Sequence, residues 1–336
     1  MLNTFIYRVI AVGMIVMRSL PGEFSHKLSL ELLKLLNIFN LLPKLNNGHE
    51  ATNLLGLRFV NKLGLAAGLD KNGDYLSSLC SLGFGFIEVG TVTPKPQLGN
   101  PKPRLFRQKK NRALINRMGF NNKGVQHLLK KLKSLKKFDT IIGVSVGKNF
   151  DTPMEKAWED YVECIEVICP YADYIAINIS SPNTQNLREL ETKKYFSDLV
   201  SSVKLTQKRL EETVGYVPLL IKISPDISEK NLLSLLGQLK GKEIDGLIAT
   251  NTTNDHSFKK ILGGLSGEPL FNKSNLVLKT CREILGPDFP IIASGGVMSK
   301  EMYQQKLDLG ANLVQVYTGL IYSGPLLIDQ ILKEEN

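Results

Sequence analysis

Short apolar runs alternating with amphipathic stretches make up most of this chain. Eight runs of four to six residues, nearly continuous in apolar side chains, predict strands buried on both faces. They are Leu63–Ala67, Phe86–Val89, Ile141–Val146, Tyr174–Ile179, Leu219–Ile223, Gly246–Ala249, Ile291–Ser294 and Leu313–Tyr317. Helical stretches follow them near 73–82, 122–137, 154–169, 191–213, 228–240, 274–285, 299–309 and 325–333.

Eight strand-then-helix units predict an α/β fold, the (β/α)8 TIM barrel. A doubly wound open sheet is the alternative, but no G-x-G-x-x-G follows the first strand and the repeat has no topological break. Just before the first strand, alternation over residues 54–65 predicts a short hairpin around Asn61-Lys62. We divide the 336 residues into an N-terminal helical extension, 1–42, and a barrel domain, 43–336.

The N-terminal extension mixes apolar and basic residues. Its run Val9–Met17 has nine residues, whereas a spanning helix needs about 20. A signal peptide is an alternative, but no small-x-small cleavage site follows. This run and a second helix, Ser25–Phe39, with apolar positions 28, 32, 35, 36 and 39 on one face, are predicted to lie in a membrane interface. Packing of both helices on the barrel is the other arrangement, and the two are compatible.

The formal net charge of +10 suits nucleic acid, an anionic membrane or an acidic ligand. We interpret the lysine cluster at 130–137 as a solvated helix face, because no aromatic stacking pattern or nucleic-acid module accompanies it. The cysteines Cys80, Cys164, Cys169 and Cys281 form no C-x-x-C pair, which predicts reduced, mostly buried thiols in a cytosolic protein. No histidine has a partner at metal-ligand spacing, so we predict no metal site.

The strand ends carry the candidate chemistry, because barrel enzymes place their catalytic groups there. Strands seven and eight end in Ser294-Gly295-Gly296 and Tyr317-Thr318-Gly319, clusters that favour a phosphate site over a simple tight turn. Lys71 follows strand one, and Lys222 lies at the end of strand five. A lysine at such a position can form a Schiff base or stabilise negative charge. Apolar neighbours on both sides make a solvent-exposed position improbable for Lys222.

Amide side chains are unusually frequent near these ends. They belong to Asn116, Asn178, Asn183 and Asn251. Each is also an ordinary turn residue, but four together suit a planar ligand with alternating C=O and N–H groups, such as a pyrimidine. No Asp, Glu or His stands out as the acid–base group. Ser181 is the best-placed candidate, although a serine needs charge stabilisation or a water relay to act as a base.

Seven motifs, in order along the whole chain, resemble those of dihydroorotate dehydrogenases. They are A-A-G-L-D-K (66–71), I-N-R-M-G-F (115–120), N-I-S-S-P-N-T (178–184), K-I-S-P-D (222–226), T-N-T-T (250–253), G-G-L-S-G (263–267) and S-G-G (294–296). The helix pair, and serine at 181 where the soluble class has cysteine, resemble the membrane-associated, quinone-linked class 2. The resemblance implies oxidation of dihydroorotate to orotate for pyrimidine synthesis, with FMN and quinone as successive acceptors, by a peripheral protein on the cytoplasmic side of the inner membrane.

The resemblance also implies roles for individual residues. FMN would contact Ala67, Gly68, Leu69, Asp70, Lys71, Thr91, Ser145, Asn178, Lys222, Thr250, Gly267, Gly296, Tyr317 and Thr318. Dihydroorotate would contact Lys71, Asn116, Arg117, Met118, Gly119, Phe120, Asn178, Asn183, Asn251 and Thr252. Ser181 would take the proton from C5 while hydride leaves C6, and Lys222 would stabilise the reduced flavin. His26, Arg107 and Tyr317 would line a quinone tunnel, and Ser145 replaces an asparagine common in the family.

Two other functions are consistent with parts of the sequence. Another FMN barrel, such as a hydroxy-acid oxidase, would need a histidine base and an arginine pair, and no histidine lies at a strand end. A non-catalytic protein that binds membrane surfaces or nucleic acid fits the charge, but it gives no reason for eight polar strand ends.

Overall fold

The computed structural model describes residues 13, 17–42, 51–184, 186–241, 244–258 and 260–333. The predicted helix over Val9–Met17 lies outside these ranges except for its residues 13 and 17, and so does residue 43, where the predicted barrel domain begins. The second predicted helix of the extension is present as α1, Gly22–Ile38.

The described ranges contain thirteen strands and ten α-helices. The strands are β1 Thr52–Leu54, β2 Leu57–Phe59, β3 Leu63–Leu65, β4 Phe86–Val92, β5 Leu105–Gln108, β6 Ala113–Asn116, β7 Ile141–Val146, β8 Tyr174–Asn178, β9 Leu219–Ile223, β10 Gly246–Ala249, β11 Gly264–Gly267, β12 Ile291–Ser294 and β13 Leu313–Val316. After α1, the helices are α2 Leu76–Cys80, α3 Val125–Ser134, α4 Ala157–Ile168, α5 Lys193–Val214, α6 Glu229–Gly241, α7 Phe271–Leu285, α8 Lys300–Asp308, α9 Thr318–Ser323 and α10 Leu326–Leu332.

Eight parallel strands close into a barrel, so the predicted TIM-barrel fold is confirmed. The strand order around the barrel is β3-β4-β7-β8-β9-β10-β12-β13, with β13 paired to β3. All eight strands correspond to predicted apolar runs. The main difference is β4, which continues to Val92 because it stays paired with β7 across a register shift between Gly90 and Val92.

Aromatic rings fill the N-terminal end of the barrel. Phe86 and Tyr174 point inward and occupy the space that a Cβ would need at Gly64 and Gly143. Phe59 packs edge-on against Phe86, with ring centroids 5.6 Å apart. Because this end is filled, ligands enter from the C-terminal ends of the strands.

The predicted hairpin exists, but its turn was wrongly placed. Strands β1 and β2 pair around Leu55-Gly56, whose φ angles of 58° and 73° are those of a tight two-residue hairpin turn. Asn61, where we had placed the turn, is buried instead. Its side-chain oxygen accepts hydrogen bonds from the N–H groups of Leu63 and Gly85, both at 3.0 Å, and so joins the starts of two barrel strands.

A three-stranded antiparallel sheet formed by β5, β6 and β11 was not predicted. Two of its strands, β5 (LFRQ) and β11 (GLSG), are not continuous apolar runs, and β11 lies about 150 positions from its partner β6. In the central strand, Asn116 pairs with Gly264, so the sheet brings two of the sequence motifs together.

Helix α1 lies on the barrel through polar contacts. Glu23 pairs with Arg104 at 3.0 Å, and the Tyr75 hydroxyl donates to Glu31 at 2.7 Å. Its outer side and the residues that follow carry exposed apolar side chains, namely Phe24, Leu32, Leu35, Leu36, Ile38, Phe39 and Leu41. No helix within the described ranges has the length and apolar character needed to cross a bilayer.

Candidate active site

A cavity of about 500 Å³ opens at the C-terminal ends of the barrel strands. Every barrel strand except β7 contributes lining residues directly or through the loop that follows it, and α1 closes one side with Glu23, His26, Lys27 and Leu30. The predicted site residues that line it are Ala67, Gly68, Leu69, Asp70, Lys71, Thr91, Asn116, Met118, Gly119, Phe120, Asn178, Ser181, Asn183, Lys222, Thr250, Asn251, Thr252, Gly267, Gly296, Tyr317, Thr318 and His26.

Three predicted site residues lie outside the cavity lining. Ser145 is fully buried behind Thr91, with the two hydroxyl oxygens 2.9 Å apart. Arg107 donates to the Arg18 carbonyl at 2.6 Å and to the Ser25 hydroxyl at 2.9 Å, so it connects the start of α1 to β5. Arg117 donates to the Pro103 carbonyl at 2.8 Å. In this arrangement their side chains support the walls, and the ligand contacts expected of them stay predictions.

The four predicted amides line one cavity as two hydrogen-bonded pairs. The Asn183 amide donates to the Asn116 side-chain oxygen at 3.0 Å. The Asn251 amide donates to the Asn178 side-chain oxygen at 3.3 Å, and Asn178 donates onward to Thr91 at 2.8 Å. These contacts fix the orientation of each amide group, so their remaining donors and acceptors present a pre-arranged polar pattern to a ligand.

Ser181 lies in this cavity with little exposure, 6% of its surface. The hydrogen bond that the described residues make to its hydroxyl oxygen comes from the Asn183 backbone N–H at 3.3 Å. Within the described part of the chain, no carboxylate or imidazole hydrogen-bonds to it. Three residues further on, the hydroxyl of Thr184 is buried and has no partner among the described residues.

Lys222 lies at the cavity floor in a buried ion pair. Its ammonium is 3.1 Å from a carboxylate oxygen of Glu88, and neither side chain is more than 6% exposed. Gln315 donates to the other Glu88 oxygen at 2.7 Å, and the Tyr174 hydroxyl lies 3.4 Å from it. This network holds the Lys222 charge in place, because a buried ammonium is stable only with such partners.

Lys71 is a second cation in the cavity wall, with a different environment. Its ammonium donates to the Asn121 side-chain oxygen at 2.7 Å and forms no ion pair with the described residues. Burial, and next the charge of Arg104, lower the pKa of Lys71 to about 7. Burial and the Lys71 charge likewise lower the pKa of His26 to about 4, so this imidazole is neutral at physiological pH.

Glycines at the ends of β11 and β12 let neighbouring segments pack directly against the backbone that lines the cavity. Gly267, Gly295 and Gly296 have φ angles of 94°, 119° and 83°, which favour glycine. A Cβ at Gly296 would lie 2.4 Å from the Phe271 Cα, and one at Gly267 would lie 2.3 Å from the Arg112 carbonyl oxygen. With the Thr318 hydroxyl beside them, these backbones form a cradle suited to an anionic oxygen group.

Sequence comparison decides the family. The family model described as dihydroorotate dehydrogenase matches residues 50–336.

This chain belongs to the dihydroorotate dehydrogenase family.

Relatives match along nearly the whole chain. A protein named dihydroorotate dehydrogenase (quinone) from Azoarcus sp. is 45% identical over 323 residues, which cover 94% of this chain and 95% of the relative. One of the same name from Buchnera aphidicola is 52% identical over 286 residues, or 83% and 85% of the two chains. The crystal structure of a dihydroorotate dehydrogenase from Eimeria tenella in complex with ferulenol has a TM-score of 0.85 and 33% identity, covering 93% of this chain and 89% of that one. The recognised family is therefore confirmed.

Dihydroorotate dehydrogenases are flavin-dependent oxidoreductases, and the cavity has room for a flavin. Its glycine cradle suits an anionic group, and its volume of about 500 Å³ extends from the cradle to Lys222 and the amide pairs. The Gln315 side-chain oxygen is a buried acceptor without a partner among the described residues, and Gln315 lines the cavity. Among those residues no group of three or more His, Cys, Asp or Glu side chains is arranged to hold a metal ion.

Two polar residues beside the site, Glu88 and Gln315, were not predicted from the sequence. Glu88, the partner of Lys222, is an acid inside the apolar run Phe86–Val89, and Gln315 is an amide inside Leu313–Tyr317. A polar residue within an otherwise apolar strand was the signal that could have found both. The four cysteines are buried and free.

Proposed function

We propose that this dihydroorotate dehydrogenase oxidises dihydroorotate to orotate in pyrimidine synthesis, with FMN as hydride acceptor and a membrane quinone as final electron acceptor. The observation that carries the proposal is one continuous cavity containing an anion cradle, two amide pairs and Ser181, with α1 as one wall. The names of near full-length relatives, dihydroorotate dehydrogenase (quinone), support it.

The cofactor would lie along the cavity from the cradle to Lys222. Gly267, Gly296 and Thr318 would hold its phosphate, and Lys222 would lie against its ring system. Bound FMN would supply the acceptor for the hydride that leaves the substrate. The Glu88–Lys222 pair keeps a cation at the cavity floor, which stabilises negative charge that develops there.

The substrate would lie between the amide pairs, with Ser181 removing the C5 proton. Asn116, Asn178, Asn183 and Asn251 present donors and acceptors that match the ring, as a pyrimidine requires. Because Ser181 lacks a carboxylate or imidazole partner among the described residues, its proton needs another acceptor.

Lys71 should make the binding of orotate depend on pH. With a pKa near 7, the free amine is protonated below pH 7 and pairs with the ligand carboxylate, which raises its pKa in the complex. We expect the affinity for orotate to fall roughly 10-fold between pH 6 and pH 8, since the protonated form is lost as pH rises. Titrating the oxidised enzyme with orotate at each pH, with binding followed by flavin absorbance, measures this affinity. Lys71→Met should bind weakly with a flat profile; an equally steep profile in that variant would contradict the assignment.

Helix α1 is proposed to place the protein on the membrane. Its exposed apolar side chains, among them Phe24, Leu35 and Ile38, match an interfacial helix, while Glu23 and Glu31 hold it on the barrel. His26 and Leu30 line the cavity from this helix, so a quinone taken from the bilayer would reach the flavin beneath it. We place the protein peripherally on the cytoplasmic side of the inner membrane, and propose residues 1–42 as its quinone-access extension.

A variant lacking residues 1–40 tests this role. We expect it to lose most of its quinone-linked rate yet still pass electrons from dihydroorotate to an artificial dye, because the cavity wall from α1 is removed while the barrel remains. Steady-state assays with quinone and with the dye measure the ratio of the two rates. Flavin absorbance of the truncated protein is the control for an intact barrel. Unchanged quinone kinetics would remove α1 from quinone access.

The overall function is tested by the colour of the protein. Purified protein should be yellow, and anaerobic dihydroorotate should bleach its flavin absorbance. A flavin-free protein that cannot be reconstituted would contradict the flavin role, and a flavin that dihydroorotate leaves oxidised would contradict the substrate.

A further inference from the structure

Lys306 is a fully buried lysine that the catalytic cavity does not use. It lies on α8, has no solvent exposure, and forms no ion pair with any residue that the structure describes. Its ammonium donates to the Ser274 hydroxyl at 2.6 Å and lies 5.3 Å from the Phe271 ring centroid. A buried ammonium without a carboxylate costs free energy, so its position calls for a compensating anion or a neutral amine.

Ser274 connects this ammonium to the glycine cradle. The serine oxygen is 3.0 Å from the Gly295 carbonyl and 2.9 Å from the Phe271 carbonyl, and its single proton is shared between these two acceptors. The cradle packs directly on α7, the helix that carries Ser274, because a Cβ at Gly295 would lie 2.9 Å from the Ser274 Cβ. No space remains for water between Ser274 and Gly295.

The peptide between Gly295 and Gly296 has two ends with different surroundings. Its C=O points to Ser274, and because the peptide is trans, its N–H points the opposite way. Gly296 lines the cavity, and its N–H has no acceptor among the described residues. A positive charge acting on the C=O through a hydrogen-bond chain polarises the peptide and makes that N–H a stronger donor.

We propose that Lys306 is a positioning residue for the cofactor phosphate, supplying a buried positive charge that acts through Ser274 on the Gly295–Gly296 peptide. The proposal rests on the proposed use of FMN. The bound phosphate is then the compensating anion that the protein itself does not provide. Burial lowers the pKa of Lys306 to about 7, which agrees with an ammonium that is incompletely compensated until an anion binds.

Riboflavin separates this role from ordinary core packing, because it has the same ring system as FMN but no phosphate. Full-length protein freed of FMN is titrated with FMN and with riboflavin, and binding is followed by flavin fluorescence. We expect Lys306→Met, which keeps the length and the contact with Phe271, to weaken FMN binding at least about 10-fold. Riboflavin binding should change less than about 3-fold.

Lys279→Met is the matched control. This lysine lies on α7, the helix of Ser274, but is 63% exposed at the surface, where it faces Glu283 at 3.9 Å. Its loss changes the net charge equally and should leave both affinities within about 2-fold. If Lys306→Met does not fold, Ser274→Ala carries the test, since it removes the connection to Gly295 and should also weaken FMN binding selectively.

Each result has a definite meaning. A selective loss of FMN affinity in Lys306→Met or Ser274→Ala supports the proposal. Equal losses for FMN and riboflavin, or no loss, overturn it and leave the proposed function intact. Wild-type protein that binds neither flavin overturns the proposed function together with this inference.

Discussion

Replacing Ser181 with alanine is expected to slow flavin reduction by dihydroorotate by a factor of roughly 10² to 10⁴, the usual contribution of a positioned acid–base group. The serine hydroxyl lies in the cavity beside Asn183 and is the candidate acceptor of the substrate proton. FMN should stay bound, because the cradle at Gly295-Gly296 is formed by other strands. Anaerobic stopped-flow absorbance of the flavin measures the half-reaction directly.

Ser181→Cys is the matched control for this experiment. A thiol of similar size retains a proton acceptor at the same place, so this variant should keep more activity than Ser181→Ala and should gain rate as pH rises toward the thiol pKa. A half-reaction at full rate in Ser181→Ala would show that another group removes the proton. Orotate binding, measured in parallel, separates loss of chemistry from loss of ligand.

Replacing Lys222 with methionine should lower the free energy of unfolding more than any other single substitution described above. Glu88 would then be a buried carboxylate whose donors, among the residues that the structure describes, are Gln315 and the more distant Tyr174. Breaking a buried ion pair in this way lowers the free energy of unfolding by about 3–5 kcal/mol. Urea denaturation followed by circular dichroism measures it.

The double variant Glu88→Gln with Lys222→Met identifies the cause. Because it removes both charges, it should recover most of the stability that the single variant loses. Lys279→Met, in the exposed pair with Glu283, should lose less than about 1 kcal/mol. A double variant as unstable as Lys222→Met alone would mean that lost packing, and not the uncompensated charge, is responsible. Both the single and the double variant lack Lys222, so both should stabilise the reduced flavin less than the wild-type protein does.

The barrel was predictable because each of its strands carries a local signal. A strand buried on both faces must be apolar along its length, and the polar residue that ends it must reach the cavity. The Asn178–Thr184 segment follows this rule. The sheet β5-β6-β11 lacks this signal, since β5 (LFRQ) and β11 (GLSG) are not continuous apolar runs and β11 pairs with β6 across about 150 positions.

The sequence by itself determined the eight strands, the polar cavity mouth and the family. Residue type and spacing encode these features locally, so Asn116, Ser181 and Lys222 could be named before any contact was known. Only the tertiary structure decided which groups compensate each other. Glu88 meets Lys222 across 134 positions, and Lys306 meets Ser274 across 32. Barrel closure brings such pairs together, and the free energy of a buried charge depends on its neighbours in space rather than on its neighbours in sequence.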